Sequence, residues 1–157
     1  MAAHALIPDE LARFLESGLS IVIATRNGDL EPDGTGAWAV QVHADRAHLT
    51  LFLHEQAAEA MLANLESHPE IAIDLDQPTT HRACQVKGRY RSSRRARKAE
   101  RGEVDRQADA FVADLASIGI PPVMTSGWKR WPCRALEIEV TELFEQTPGP
   151  GTGEPLT

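Results

Sequence analysis

Cysteine is scarce, aromatic residues are few, and no apolar run is long. The 157 residues include two cysteines, Cys84 and Cys133, and 5% aromatic residues. Neither cysteine belongs to a C-x-x-C pair, and no Cys/His spacing suits zinc, so a disulfide scaffold and a zinc-built fold are excluded. Two isolated cysteines are expected to be reduced core residues. The apolar runs have strand length, which rules out a membrane-spanning helix. The N-terminus has no basic stretch followed by an apolar one, so no signal peptide is expected and the cytoplasm is the expected compartment. Phosphate-binding glycine loops, a Ser/His/Asp set and a paired-carboxylate site are missing too, so no catalytic side chain and no metal ligand is assigned.

What is present is an ordinary globular composition, 42% hydrophobic and 25% charged, in a length that suits one domain. The net charge of −7 disfavours nonspecific binding to nucleic acid or to a membrane surface. The positive charge is clustered, however. Eight of the chain's 16 basic residues fall between Lys87 and Arg101.

The periodicity alternates between two kinds. Leu11, Phe14 and Leu15 follow Pro8-Asp9 at helical spacing. Ser20 to Thr25 is a β-branched strand, closed by a turn at Asn27-Gly28-Asp29. Pro32-Asp33-Gly34 reads as a second turn. Ala37 to Val42 and Leu49 to Leu53 read as strands. Ala58, Met61, Leu62 and Leu65 then share a helical face until Pro69, because a residue before proline avoids helical dihedrals. Ile71, Ile73 and Leu75 alternate, as does the segment His81 to Tyr90. Ser93 is a candidate cap for a helix that begins in the arginine run and shows Val104, Ala108, Phe111, Val112 and Leu115. Val123 to Pro132 reads as irregular and holds Trp128 and Trp131. Leu136, Ile138 and Val140 form a last strand reaching Phe144. The Gly/Pro tail, residues 148–157, is a fixed turn or a disordered end, set apart from a domain of residues 1–147.

Short connections imply antiparallel neighbours, and closure removes open edges. The expected class is mainly β with flanking helices, a six-stranded antiparallel split β-barrel.

Four segments carry a family likeness: Ile23-Ala24-Thr25-Arg26, the stretch from Leu62 through Pro69 to Ala72, Gln85-Val86-Lys87-Gly88, and Leu143-Phe144-Glu145-Gln146. In order and spacing they resemble the FMN-binding split-barrel family typified by pyridoxamine 5'-phosphate oxidase, over residues 7 to 147. The resemblance implies a homodimer with flavin mononucleotide (FMN) in a groove between subunits. It puts Trp38, Ala39, Val40, Leu53, His54, Gln85, Lys87, Arg89 and Trp131 beside that cofactor. It also implies flavin-dependent oxidoreductase chemistry on an unknown substrate.

The departures are specific. The family's basic phosphate grip at the helix start corresponds here to Glu59-Ala60-Met61, and Ala37 and Val42 stand near its strand positions. An acidic residue beside a phosphate is unfavourable by roughly 1 kcal/mol. The C-terminal Arg-x-His pattern of the true oxidase is absent, so that enzyme is not expected. Arg89, Arg91 or Arg94 is the candidate replacement clamp, since a guanidinium fork suits phosphate. The alternative is a solvated helix start. Gln85 and Lys87 share one strand face, with Cys84 and Val86 on the inward side. His54 and His81 are a remote haem or metal pair. The other functional reading is a non-enzymatic binding module with a degenerate flavin site, holding deazaflavin, haem or nothing.

Overall fold

The computed structural model describes residues 6–156. Helix α1 (Asp9–Leu15) leads into β1 (Ser20–Arg26), β2 (Pro32–Ala37), β3 (Ala39–Val42) and β4 (His48–His54). Helix α2 (Glu55–Ser67) precedes β5 (Glu70–Asp76) and β6 (Ala83–Arg95). A short 3-10 turn, Lys98–Glu100, opens α3 (Arg101–Ser117), and α4 (Pro122–Thr125) precedes β7 (Cys133–Glu145).

The seven strands form one sheet in the order β2-β1-β5-β6-β7-β4-β3, and every pairing is antiparallel. It curls into a half-barrel with helices on its flanks. The expected class therefore holds with one more strand than expected. Pro32-Asp33-Gly34 is not a turn but the start of β2, paired with Arg26, Thr25 and Ala24 of β1. The expected strand 37–42 is divided at Trp38, where the chain leaves β2 and enters β3.

The arginine run differs most. Ser93 caps no helix. It lies in β6, which continues to Arg95 because the 13-residue β7 offers a partner as far as Arg134. Local propensity cannot anticipate a ladder whose other half lies some forty residues away.

The main core fills the barrel with alternating strand residues such as Ile21, Ile23, Leu49, Leu51, Ile73, Val86 and Ile138, sealed by Ala58, Met61 and Leu65 of α2. A second cluster lies between α3 and the sheet, with Ala39, Phe52, Val104, Cys133 and Ala135. Edge strand β3 is closed by side chains. The buried Gln107 amide accepts from the Val40 N–H at 3.0 Å and donates to its carbonyl at 2.8 Å. Glu16 accepts from the Val42 N–H at 2.7 Å. These bonds occupy groups that would otherwise recruit a foreign strand.

The tail is a fixed turn that folds back on β7. Gly153 N–H donates to the Glu145 carbonyl and Leu156 N–H to the Leu143 carbonyl, at 2.6 and 2.9 Å. Among the described residues no helix is long and apolar enough to cross a membrane.

Candidate functional site

An aromatic cleft of about 360 Å3 opens between the outer sides of β1 and β2, the start of α2, and the α3–α4 region. Trp38 forms one wall. Its indole N–H donates to the Lys129 carbonyl at 2.9 Å, and the Arg130 guanidinium lies 5.7 Å from its ring centre. Trp128 sits 6.0 Å from Trp38, tilted by 48°, and Phe111 stacks on Trp128 at 6.5 Å. The lining includes His54, Ala57, Gly36 and Lys129, and it contains no carboxylate. Aromatic faces and a missing Cβ at Gly36 suit a flat ring. Trp128 is 47% exposed and has area left to cover.

His54 and Lys129 also border an adjoining shelf with Glu55, Gln56, Glu59 and Trp131. His54 ends β4 and caps α2, its Nδ1 accepting from the Gln56 N–H at 3.2 Å. Arg101 lies 5.6 Å from the Trp131 ring. The shelf is acidic where a phosphate grip was sought. Glu59 and Ala60 are exposed and Met61 is buried in the core.

A second cleft, of about 350 Å3, lies on the outer sheet face among Ala24, Arg26, Glu70, Ala72, Lys87 and Arg89. Glu70 is within 3.8 Å of Arg26 and 3.6 Å of Arg89. Lys87 stands 5.2 Å over the Phe144 ring.

The residues named from the sequence thus divide. Trp38 and His54 line the aromatic cleft, with Trp131 on its shelf. Lys87 and Arg89 line the outer cleft. Gln85 and Lys87 do face outward from β6, with Cys84 and Val86 buried. Ala39, Val40 and Leu53 are fully enclosed by protein atoms. Sequence reading did not single out Phe111 or Lys129. Phe111 looked like one more apolar residue of α3, although it is only half-buried.

Other candidates resolve plainly. Arg89 meets Glu70, Arg91 meets Glu139, and Arg94 holds Glu100 through two bonds of 2.7 and 2.9 Å. All three proposed clamp residues are therefore already engaged. Glu100 also accepts from Arg97, and these donors, Arg94 foremost, lower its carboxyl to about 2. His54 pairs with Cys133 at one end of β7, while His81 precedes β6 near the other end, so the two histidines stand far apart. Among the described residues no group of three His, Cys, Asp or Glu side chains can hold a metal. Burial pushes both thiols up to about 12, so neither is a nucleophile. Asp74 is raised by partial burial and by neighbouring Asp76.

No family model matches the chain, and no curated protein matches it. Solved structures do. An F420 reductase superposes with a TM-score of 0.57 at 14% identity, covering 87% of this chain and 98% of that one. A candidate pyridoxamine 5'-phosphate oxidase of Lactobacillus delbrueckii gives 0.55 at 13% identity, covering 88% and 93%. An FMN-binding protein of Syntrophomonas wolfei gives 0.51 at 13% identity, covering 94% and 85%. The fold is the split barrel. In particular, the chain shares its fold with solved proteins described as an F420 reductase, as a pyridoxamine 5'-phosphate oxidase and as FMN-binding.

Proposed function

We propose that this chain is a flavin-binding split-barrel protein, acting as a cytoplasmic homodimer, with FMN as its cofactor and oxidoreductase chemistry as its activity. The carboxylate-free aromatic cleft carries this reading, in a fold shared with proteins described as FMN-binding and as an F420 reductase. The ring half of a flavin fits the chain's residues. Trp38, Trp128 and Phe111 would hold the ring, and His54 and Lys129 would meet its polar edge. When bound, the flavin supplies electron and hydride transfer. The protein's part is to orient the ring, exclude water and tune the environment. The substrate is not defined by any catalytic side chain, and the missing Arg-x-His pattern argues against a true pyridoxamine 5'-phosphate oxidase.

The outer sheet face supports the dimer. Its middle is built from small residues, Ala24 and Ala72 with Gly34 and Gly36, and Val22 there is 50% exposed. On this face Lys87 stands across from Ala72, with Asp74 and then Asp76 in the next outward positions along β5. A two-fold contact would bring unlike charges together.

Titration with FMN, read by quenching of flavin fluorescence, tests the cofactor. Saturable binding is expected, and Trp128→Ala is expected to weaken it by up to about tenfold, the usual worth of one aromatic stack. A colourless protein that leaves added FMN fluorescence unchanged would end the proposal.

A second reading, a binding module without enzyme activity, draws on the acidic shelf at Glu55 and Glu59 and on the engaged arginines. Saturable flavin binding without reduction by nicotinamide donors would favour it.

A further inference from the structure

Strand β7 is longer than one of its neighbours. On one side β6 accompanies it to Glu145, but on the other β4 pairs only with Cys133 to Glu139. The end of β7 would therefore carry a free main-chain edge, and the tail fills it. Gly153 N–H donates to the Glu145 carbonyl at 2.6 Å, Glu145 N–H to the Glu154 carbonyl at 2.9 Å, and Leu156 N–H to the Leu143 carbonyl at 2.9 Å. Pro155 bridges Phe144 in the antiparallel sense. The half-buried Leu156 packs against the main core. It also closes a pocket of about 170 Å3 whose other walls include Leu11, Phe14, Ala83 and Cys84.

The segment between β7 and this strap is tied to itself. Thr147 is the fixed base, its hydroxyl accepting from the Ala83 N–H at 3.1 Å. Beyond it, the Thr152 hydroxyl donates to the Thr147 carbonyl at 2.7 Å and accepts from the Gly149 N–H at 3.0 Å. A Cβ on Gly149 or Gly153 would meet no atom within 4 Å, so the loop stands clear of the barrel. Gly153, with a φ of 88°, turns the chain back onto β7. Past Thr147, among the described residues, the strap's hydrogen bonds to the barrel are the three at Leu143 and Glu145. Three main-chain bonds and one apolar side chain can open locally at far less cost than the barrel itself.

We infer that residues 153–156 are a strap that opens without unfolding the barrel, and that the β7 edge beneath it is a slot for an extended segment with an apolar side chain at the Leu156 position. The seated tail shows what the slot takes. Two carbonyls and one N–H along Leu143–Glu145 serve any main chain, and the pocket beside them selects one side chain. The tethered strap competes at an effective concentration on the order of millimolar, so a separate segment enters only where the strap is loosened. Opening also bares Cys84, which is 2% exposed beneath the closed strap. The slot shares no lining residue with the aromatic cleft, so the flavin titration neither supports nor removes it.

Maleimide labelling of the native full-length chain, with Cys133 as the internal reference, tests both halves. In the wild type Cys84 is expected to label faster than Cys133, at a rate that low urea leaves unchanged, as local opening requires. Leu156→Asp is expected to speed Cys84 at least about tenfold and to leave Cys133 alone. A synthetic peptide of residues 152–157, at millimolar concentration, should slow Cys84 again in that variant, and the same peptide carrying Leu156→Asp should not. Protection that grows with protein concentration would show a second copy's strap in the slot, and would support it equally. Should Leu156→Asp fail to fold, Leu156→Ala replaces it, beside hydrogen exchange of the wild-type Gly153 and Leu156 amides. Thiols that label together, only as urea unfolds the whole chain, would overturn the strap. So would amides that exchange only in that way, or a variant in which both thiols gain alike. A wild-type peptide that leaves the Cys84 rate unchanged would overturn the slot.

Discussion

Glu100 holds two arginines and a backbone N–H at the entry to α3: Arg94 at 2.7 and 2.9 Å, Arg97 at 3.0 Å, and the Arg97 N–H at 2.7 Å. These bonds lower its carboxyl from the usual 4.5 to about 2. A carboxylate whose folded value lies below its unfolded one stabilises the protein above the unfolded value. That contribution is lost as pH falls from 4.5 through about 2. Glu100→Gln is therefore expected to cost about 2 kcal/mol near neutral pH, because it removes one charge from a network that is only partly exposed. Its deficit relative to wild type should shrink steadily as the pH of a denaturant titration approaches 2. A deficit that is the same at every pH would show that Glu100 acts through packing alone. At this scale the sequence displayed the arginines but not their partners. Glu139 meets Arg91 and Glu70 meets Arg89 only because β6 lies between β5 and β7.

The β6–β7 pair shows how elements were legible and where they were not. Alternation along Cys84, Val86 and Gly88 fixed which face of β6 is buried, and the structure agrees. Gly88 sits at a register shift in the ladder, where a Cβ would lie 2.5 Å from the Glu139 carbonyl oxygen and 2.7 Å from an Ile138 methyl. Both obstacles belong to a buried strand that cannot yield, so Gly88→Ala is expected to cost about 1–3 kcal/mol, read as a lower urea midpoint with an unchanged slope. An unaltered midpoint would mean that the bulge relaxes freely. The continuation of β6 to Arg95 was not legible. Arginine and serine have no strong strand preference, and the ladder with β7 overrides a local pattern that looks like a helix start. The closure of β3 by Gln107 was equally hidden, since a glutamine on a helix face is ordinarily a solvated residue.

For the molecule as a whole, the proposed dimer would use the exposed outer sheet face around Val22. Sedimentation velocity is expected to give about twice the 17.2 kDa chain mass. Val22→Arg, placing a charge on the exposed centre of that face, should shift the protein to the monomer without lowering its urea midpoint. A wild type that sediments as a monomer at every concentration would refute the two-fold contact. The likeness to known split barrels bears on the frame alone, because identities of 13–14% leave the site free to diverge.

The alternation of strands and helices along most of the chain, and the inward side of most of those elements, were determined by sequence alone; β2, the split at Trp38 and the end of β6 were not. Burying alternate residues leaves a period of two, and burying one helical face leaves a period near 3.6, whatever else surrounds them. Only the folded chain decided which polar groups are spent. Trp38, Phe111 and Trp128 are scattered over some ninety residues and meet because α3 and α4 pack against the edge of the sheet. Gln107 is spent on the Val40 N–H and carbonyl because α3 lies against the edge strand β3. Charge pairing and aromatic stacking act through space over a few ångströms, and distance along the chain carries no record of them.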